Sequence, residues 1–328
     1  MTERPAMAPI IDAHVHLFDH GFLPSAWHDA TAWRWATRTF PSRDPEIVRG
    51  KIMDGLVDPG GELLRAEMDR VGIDSSVVIG LDWGWALGEQ DVPIEDVHEA
   101  YRAIQAGDVG GLAGRFFGVV GIDPRRPNAL EMTEKLIVDH RFRGYKLYPP
   151  CGYHPYDEAC QPLLELCQEL GVPVIVHSAP VGYPMRTRFA HPHGVNDVQA
   201  EHPELVLVLA HAGHGGWEAE AKDMAVRHPG TYLELSNWNH DIDIDADATA
   251  HAVLAMRDAV GAHRILFGSD HFGGRRFSGG TNLPRWIDFF RDLPQRAPRL
   301  GSSISTEEID LILGLNAARV YDIPVTGA

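Results

Sequence analysis

Two histidines one residue apart, His14 and His16 in Asp12-Ala13-His14-Val15-His16, are the first residues of this chain able to do chemistry. On an extended strand alternate side chains share a face, so both imidazoles point the same way and can hold one metal ion. Alone the pair is a weak signal. Four more polar residues directly follow apolar runs: Lys146 in RGYKLYPP, His177 in VPVIVHSA, His211 in LVLVLAHAGH and Asp270 in RILFGSDH. Singly, each reads as a capped or hydrogen-bonded core residue. All six at equivalent strand ends read as a ligand set. Imidazole and carboxylate donors suit zinc first, with manganese, iron or nickel as alternatives.

The elements that must position these residues alternate along the chain. Apolar, β-rich runs fall at residues 10–16, 75–81, 116–122, 144–148, 172–177, 205–211, 232–235 and 264–268. Helical patterns lie between them at 62–71, 94–105, 129–139, 157–170, 195–201, 217–227, 247–260 and 283–291. A last helix, 306–321, opens on a capping-box pattern of Ser305 and Glu308. Eight such units predict an α/β fold, a (β/α)8 TIM barrel, with catalytic groups at the carboxyl ends of the strands. Strands apolar on both faces suit that fold, and the glycine fingerprint of a dinucleotide site is missing after strand one. No repeat or linker divides residues 1–328, so one domain is expected. Residues 17–60 form a long, lid-like loop insertion over the barrel mouth, dense in Trp27, Trp33, Trp35, Phe40, Arg34, Arg38 and Arg43. It reads equally as a small satellite core. The alternating acids from Asp241 to Asp247 lack the glycine and glutamate of a calcium loop and suit a helix start instead.

Composition narrows the function classes. The formal charge is 29 − 46 = −17, which argues against a nucleic-acid partner, because phosphate binding needs a basic face. The three cysteines, Cys151, Cys160 and Cys167, form no CxxC pair. They point away from a disulfide framework and toward a reducing compartment, so a cytoplasmic location is expected. The stretch MTERPAMAPII has no apolar core of signal-peptide length, and no run approaches the roughly 20 apolar residues of a membrane span.

The ordered set HxH, Lys, His, His, Asp resembles the amidohydrolase superfamily, and most closely its amidohydrolase-related branch, which includes the aminocarboxymuconate-semialdehyde decarboxylase-like enzymes and lactonases. The resemblance runs from DAHVH through FGSDH to Asn316-Ala317-Ala318-Arg319. It implies one or two divalent ions per chain. In a one-metal site the ligands correspond to His14, His16, His177 and Asp270, with His211 left as base or polarising group. In a two-metal site a carboxylated Lys146 bridges the ions, with His14, His16 and Asp270 on one and His177 and His211 on the other. Lys146 therefore decides between the versions, and the decarboxylase and lactonase relatives tend to lack it.

The first functional expectation is a hydrolase, in which a metal-activated water attacks an amide, lactone or ester of a small carboxylate-bearing substrate. By the same resemblance Asp270 takes the water's proton and His211 polarises the carbonyl. Asp12, two residues before His14, is expected to orient a ligand histidine. The alternatives on this scaffold are a nonoxidative metal-dependent decarboxylase of a small acid, aromatic or not, a dinuclear iron-containing oxygenase, and a catalytically silent metal-binding subunit. Loop composition nominates Trp83, Tyr148, Arg186, Arg188, Asn237 and His271 as substrate contacts, with Arg275 and Arg276 beside them. Aromatic walls and guanidinium groups suit a compact carboxylate. The expected partners are a small-molecule substrate, without nucleic acid or membrane, and a second copy or a homologous subunit in an oligomer.

Overall fold

Strands form where the sequence can be covered on both sides. A computed structural model describes residues 8–272 and 282–325. In it β1 (Ile11–His16), β2 (Ser75–Ile79), β3 (Phe116–Val119), β4 (Tyr145–Leu147), β5 (Val174–His177), β6 (Leu207–Ala210), β7 (Thr231–Glu234) and β8 (Ile265–Leu266) pair in parallel, and a short β9 (His271–Phe272) adds to β1. Every residue of β1 through β6 is buried. Ile11, Val77, Val119, Ile175, Val208 and Leu266 pack together inside the ring. Val78, Leu147, Val176, Leu209 and Leu233 belong to the larger outer core that the helices cover.

The ladders form two sheets, β3-β2-β1-β9 and β4-β5-β6-β7-β8. Backbone hydrogen bonds join them into a (β/α)8 barrel. At one seam Val120 bridges Tyr145, with Val120 N donating to Gly144 O at 2.9 Å and Lys146 N to Val120 O at 2.7 Å. At the other, Ala13 N donates to Phe267 O at 3.0 Å and Asp270 N to His14 O at 2.9 Å. This second seam sets the first and last chemical residues of the sequence side by side.

The helices are α1 (Ser25–Ala36), α2 (Pro45–Leu56), α3 (Glu62–Val71), α4 (Gly84–Leu87), α5 (Ile94–Ala106), α6 (Ala129–Val138), α7 (Gln161–Leu170), α8 (Gly194–Glu201), α9 (Glu218–Arg227), α10 (Ile242–Val260), α11 (Leu283–Arg296), α12 (Thr306–Asp310) and α13 (Asn316–Val320). The acidic run does start a helix: Asp245 accepts from Asp247 N at 3.1 Å and Ala248 N at 2.9 Å. The final helix is broken, contrary to expectation, by a π-turn over Leu311–Leu315. There Ile312 O accepts from Phe267 N at 3.0 Å, so a carbonyl of the last helix serves the chain leaving β8. A Cβ at Gly314 would run into the Pro9 backbone, so only glycine allows this approach. None of the described helices is long and apolar enough to cross a membrane, and all three cysteines are unpaired and buried.

The segment after β1 is not a loop but contains the packed pair α1 and α2. Its first helix, SAWHDATAWRWA, buries Trp27 yet exposes Trp33 and Trp35, so its apolar residues trace no single stripe. Its second begins with a legible signal, Asp44 accepting from Glu46 N at 2.9 Å with Pro45 at the first helical position.

The capping box of α12 is present as the sequence predicts. Ser305 Oγ accepts from Glu308 N at 3.2 Å, and Glu308 Oε2 accepts from Ser305 N at 2.9 Å. Ser305→Ala should lower the unfolding free energy by about 1 kcal/mol, read as a lower urea midpoint at unchanged slope.

Candidate metal centre

A bulge in β1 aims the first two histidines. Asp12 pairs with Ser76 but Val15 pairs with Val78, so β1 carries one more residue than β2 over this stretch. The extra residue shifts the alternation and puts His14 and His16 on the side of Val77 and Ile79. Asp12 does not share their face, as simple alternation would have it. Its carboxylate accepts from Ser269 N at 2.9 Å, Ser269 Oγ at 2.5 Å and His14 N at 3.2 Å. Asp12 touches no ligand ring. It ties the bulge to the residue before Asp270, and burial pushes its pKa up to about 7 against those hydrogen bonds.

Three acceptors converge at this point. His14 Nε2 and His16 Nε2 stand 3.2 Å apart, with Asp270 Oδ1 3.7 Å from the first and 3.3 Å from the second. The other ring nitrogens settle where the protons are. His16 Nδ1 lies 2.8 Å from Ile79 O, which can only accept, so it carries the proton. His14 Nδ1 lies 2.8 Å from Glu234 Oε2 and donates likewise. Both Nε2 atoms therefore present lone pairs to each other and to a carboxylate oxygen. Burial, helped by Lys146, holds His14 well below the usual imidazole pKa. Burial raises the Asp270 pKa, and only positive charge beside it, at the His16 Nε2 position and near His14 and His211, holds it well below the usual carboxylate range. Nothing in the triad supplies a proton to share, so the donor set fits a divalent cation.

Beside it sit the other two histidines. His177 Nε2 donates to Ala179 O at 3.1 Å, which leaves its Nδ1 facing His211 Nε2 at 3.2 Å. His211 Nδ1 meets Ser236 Oγ at 2.7 Å and Asn237 Nδ2 at 3.1 Å. His177 joins the cluster through His211, whose ring stacks on His14 with centroids 4.9 Å apart. His211, Asn237 and Asp270 all have positive φ, at 68°, 71° and 54°. Each such position costs a non-glycine residue roughly 1–2 kcal/mol, so the strand ends are bent where the chemistry is. Lys146 is buried, and its Nζ has no hydrogen-bond partner among the described residues. Burial lowers its pKa to about 8, opposed by Glu234 and Asp270.

Glu234 and Ser236 were not picked out from the sequence. Glu234 Oε2 takes His14 Nδ1, the Ser236 hydroxyl at 2.8 Å and His211 N at 3.3 Å, and its Oε1 takes Ser236 N at 2.6 Å. One carboxylate so fixes both a ligand ring and the turn that carries His211. Burial raises it to about 7 against those bonds and Lys146. The signal was available: a glutamate inside the apolar strand TYLELS.

A pocket of about 200 Å³ opens over the cluster. Of the sequence's substrate contacts, Trp83, Tyr148 and Asn237 line it. Arg186 and Arg188 do not: the first lies against Gly152 and the second stacks on Phe189 at 4.7 Å. His271 is buried in β9, with both ring nitrogens unpartnered among the described residues. Arg275 and Arg276 lie outside the described residues. Trp27, Arg34 and Phe272 complete the wall, two of them from the insertion.

An eight-stranded barrel with a histidine and carboxylate cluster able to hold a metal ion at its mouth is the class that fold and site define. The chain belongs to the amidohydrolase family, whose model matches residues 11–323. Among solved structures, it is similar to 5-carboxyvanillate decarboxylase from Sphingomonas paucimobilis at 17% identity and TM-score 0.63, over 97% of this chain and 100% of that one. It is similar to a dihydroxybenzoic acid decarboxylase from Polaromonas sp. JS666 with bound manganese at 16% identity and TM-score 0.62, over 96% and 97%. It also resembles an amidohydrolase from Burkholderia multivorans with bound zinc at 19% identity and TM-score 0.60, over 97% and 100%. No curated protein matches the sequence.

Glu234→Gln keeps the volume but weakens the hold on His14 Nδ1. It should reduce affinity for zinc or manganese roughly 10–100-fold in a chelator competition, with the far-ultraviolet circular dichroism unchanged.

Proposed function

We propose that this chain is a metal-dependent nonoxidative decarboxylase of a small carboxylic acid borne on an aromatic or conjugated ring. The observation that carries the reading is one pocket of about 200 Å³ that joins an acceptor triad needing a cation to a wall of rings and N–H donors. Trp27, Trp83, Tyr148 and Phe272 form the wall, with Trp27 and Trp83 centroids 5.4 Å apart and Trp83 and Tyr148 also 5.4 Å apart. Trp83 Nε1 and Lys146 Nζ are buried donors without acceptors among the described residues. Such a lining suits a flat, acceptor-rich acid. The decarboxylases of similar fold, which act on 5-carboxyvanillate and dihydroxybenzoic acid, support the choice.

His14, His16 and Asp270 would hold the ion, zinc or manganese. When bound, it supplies a fixed positive charge that orients the acid and offsets the negative charge that builds on the ring. The bond between ring carbon and carboxyl carbon breaks, carbon dioxide leaves, and the electron pair stays on the ring carbon. His211 delivers the proton that forms the new C–H bond. Its ring is held between His177 Nδ1 and Ser236 Oγ; burial keeps its pKa well below the usual value, so the ring is neutral in the free protein and takes up the proton of the incoming acid before passing it to the ring carbon. The aromatic wall keeps bulk water from the reacting carbon.

One observation favours hydrolysis as the second reading. Lys146 is a buried amine near Glu234 and Asp270 with no hydrogen bond among the described residues, and by the family resemblance a carboxylated lysine there would help hold two ions. Metal stoichiometry and product analysis separate the two. The decarboxylase reading expects carbon dioxide from hydroxybenzoate-type acids with one metal per chain. It also expects His211→Asn to cut that release by about 10²–10⁴-fold while metal content is kept. Turnover of lactones or esters with two metals per chain and no carbon dioxide would instead establish the hydrolase.

A further inference from the structure

One nucleophile at the pocket takes no part in the decarboxylation described above. The chain holds four lysines, Lys51, Lys135, Lys146 and Lys222. Lys51 on α2 and Lys135 on α6 are exposed, and Lys222 on α9 is half-buried. Lys146 alone sits on a barrel strand. It pairs in register with Ile175, whose side chain packs inside the ring, whereas Tyr145 and Leu147 on either side of it belong to the outer core. Its amine therefore rises inside the barrel toward the mouth, where Lys146 lines the pocket.

The neighbours leave that amine uncommitted. Lys146 is 2% exposed, and its Nζ has neither a hydrogen bond nor an ion pair among the described residues. The nearby acceptors are already engaged. Glu234 Oε1 holds Ser236 N, and Oε2 holds His14 Nδ1, Ser236 Oγ and His211 N. Asp270 Oδ1 faces His14 and His16. A buried donor stripped of water and given no acceptor is costly unless a ligand completes it. What remains open to the amine is the cavity of about 200 Å³, walled by Trp27, Trp83, Tyr148 and Phe272. That space admits one flat ring with a small substituent.

We propose that Lys146 is a covalent capture site, which condenses with an aldehyde carried on a single aromatic ring to form an iminium. The bond between Nζ and the carbonyl carbon forms, and the carbonyl oxygen leaves as water with two of the ammonium's three protons. The positive charge passes from ammonium to iminium, so the charge beside Glu234 and Asp270 is unchanged. Water is a product of the condensation, and a wall that keeps bulk water out favours the adduct over its hydrolysis. The ring then lies against the aromatic wall, in the space a ring acid would occupy. The proposal goes beyond the decarboxylase reading and does not rest on it.

Reductive trapping tests it. The metal-loaded protein is incubated with benzaldehyde and cyanoborohydride at neutral pH, and the labelled lysines are located by peptide mass mapping. Lys146 should gain one benzyl group at least about tenfold faster than Lys51, Lys135 or Lys222. Its rate should saturate with benzaldehyde concentration, while labelling of the exposed lysines rises linearly. Lys146→Arg keeps a cation but cannot condense, and should lose the saturable phase alone. Equal rates at all four lysines would overturn the proposal, as would a linear dependence at Lys146. An unlabelled Lys146 would overturn it too, and with two metals per chain would favour the hydrolase. Saturable labelling of Lys146 in a protein that releases no carbon dioxide from any ring acid would uphold the capture site and sink the decarboxylase reading instead.

Discussion

Two imidazole lone pairs and a carboxylate oxygen held within 3.2 to 3.7 Å of one another repel unless a positive charge lies between them. The fold maintains that arrangement through hydrogen bonds on the far side of each ligand. Ile79 O and Glu234 fix the two imidazoles with their protons turned away from the centre, and Asp12 pins the backbone before Asp270. The barrel seam between β1 and the chain after β8 exists at this same place, where Asp270 N donates to His14 O. Closing the barrel and assembling the ligand triad are thus one structural event.

Carboxylates divide the labour by burial and partner. Burial draws Asp12 and Glu234 toward neutrality against their hydrogen bonds, whereas Asp270, faced by two imidazole lone pairs, keeps its charge only with positive charge beside it. Glu234 couples the ligand ring of His14 to the turn bearing His211 through Ser236, so the metal side and the proton side share one anchor. The positive φ values at His211, Asn237 and Asp270 show backbone conformations that packing must sustain. Trp238 Nε1, donating to His211 O at 2.9 Å, is one such support.

The insertion changes what the barrel mouth can accept. Strand ends alone supply the candidate metal ligands and a histidine pair; α1 and the loop after β5 add Trp27, Arg34 and residues 181–185 to the pocket lining. This explains why the order of functional readings differs between sequence and structure. From residues alone, hydrolysis by activated water comes first, because the ligand set is common to many reactions. The pocket's size and its donors, unpartnered among the described residues, move the proposed reading toward an acid on a flat ring.

Periodicity and residue type sufficed for the barrel: continuous apolar runs must be covered on both faces, and their number and spacing leave few topologies. The six polar residues at strand ends were legible for the same reason, since a strand projects its last side chains to a known place. Helix α1 was not, because aromatic residues scattered around it mask its period, whereas α2 carries a start signal in Asp44 and Pro45. Neither was the broken last helix, whose π-turn answers to a hydrogen bond from Phe267. Glu234 and Ser236 acquire meaning only from His14, 220 and 222 residues away, and His211, 23 and 25 residues away. Asp12 shows the limit most plainly: alternation puts it with His14, and a single extra residue in β1 turns it to the opposite side. The sequence determined which groups stand at the strand ends, because local pattern fixes secondary structure. Only the tertiary structure decided which of them meet and with which proton, because register, burial and hydrogen-bond partners depend on segments far apart in the chain.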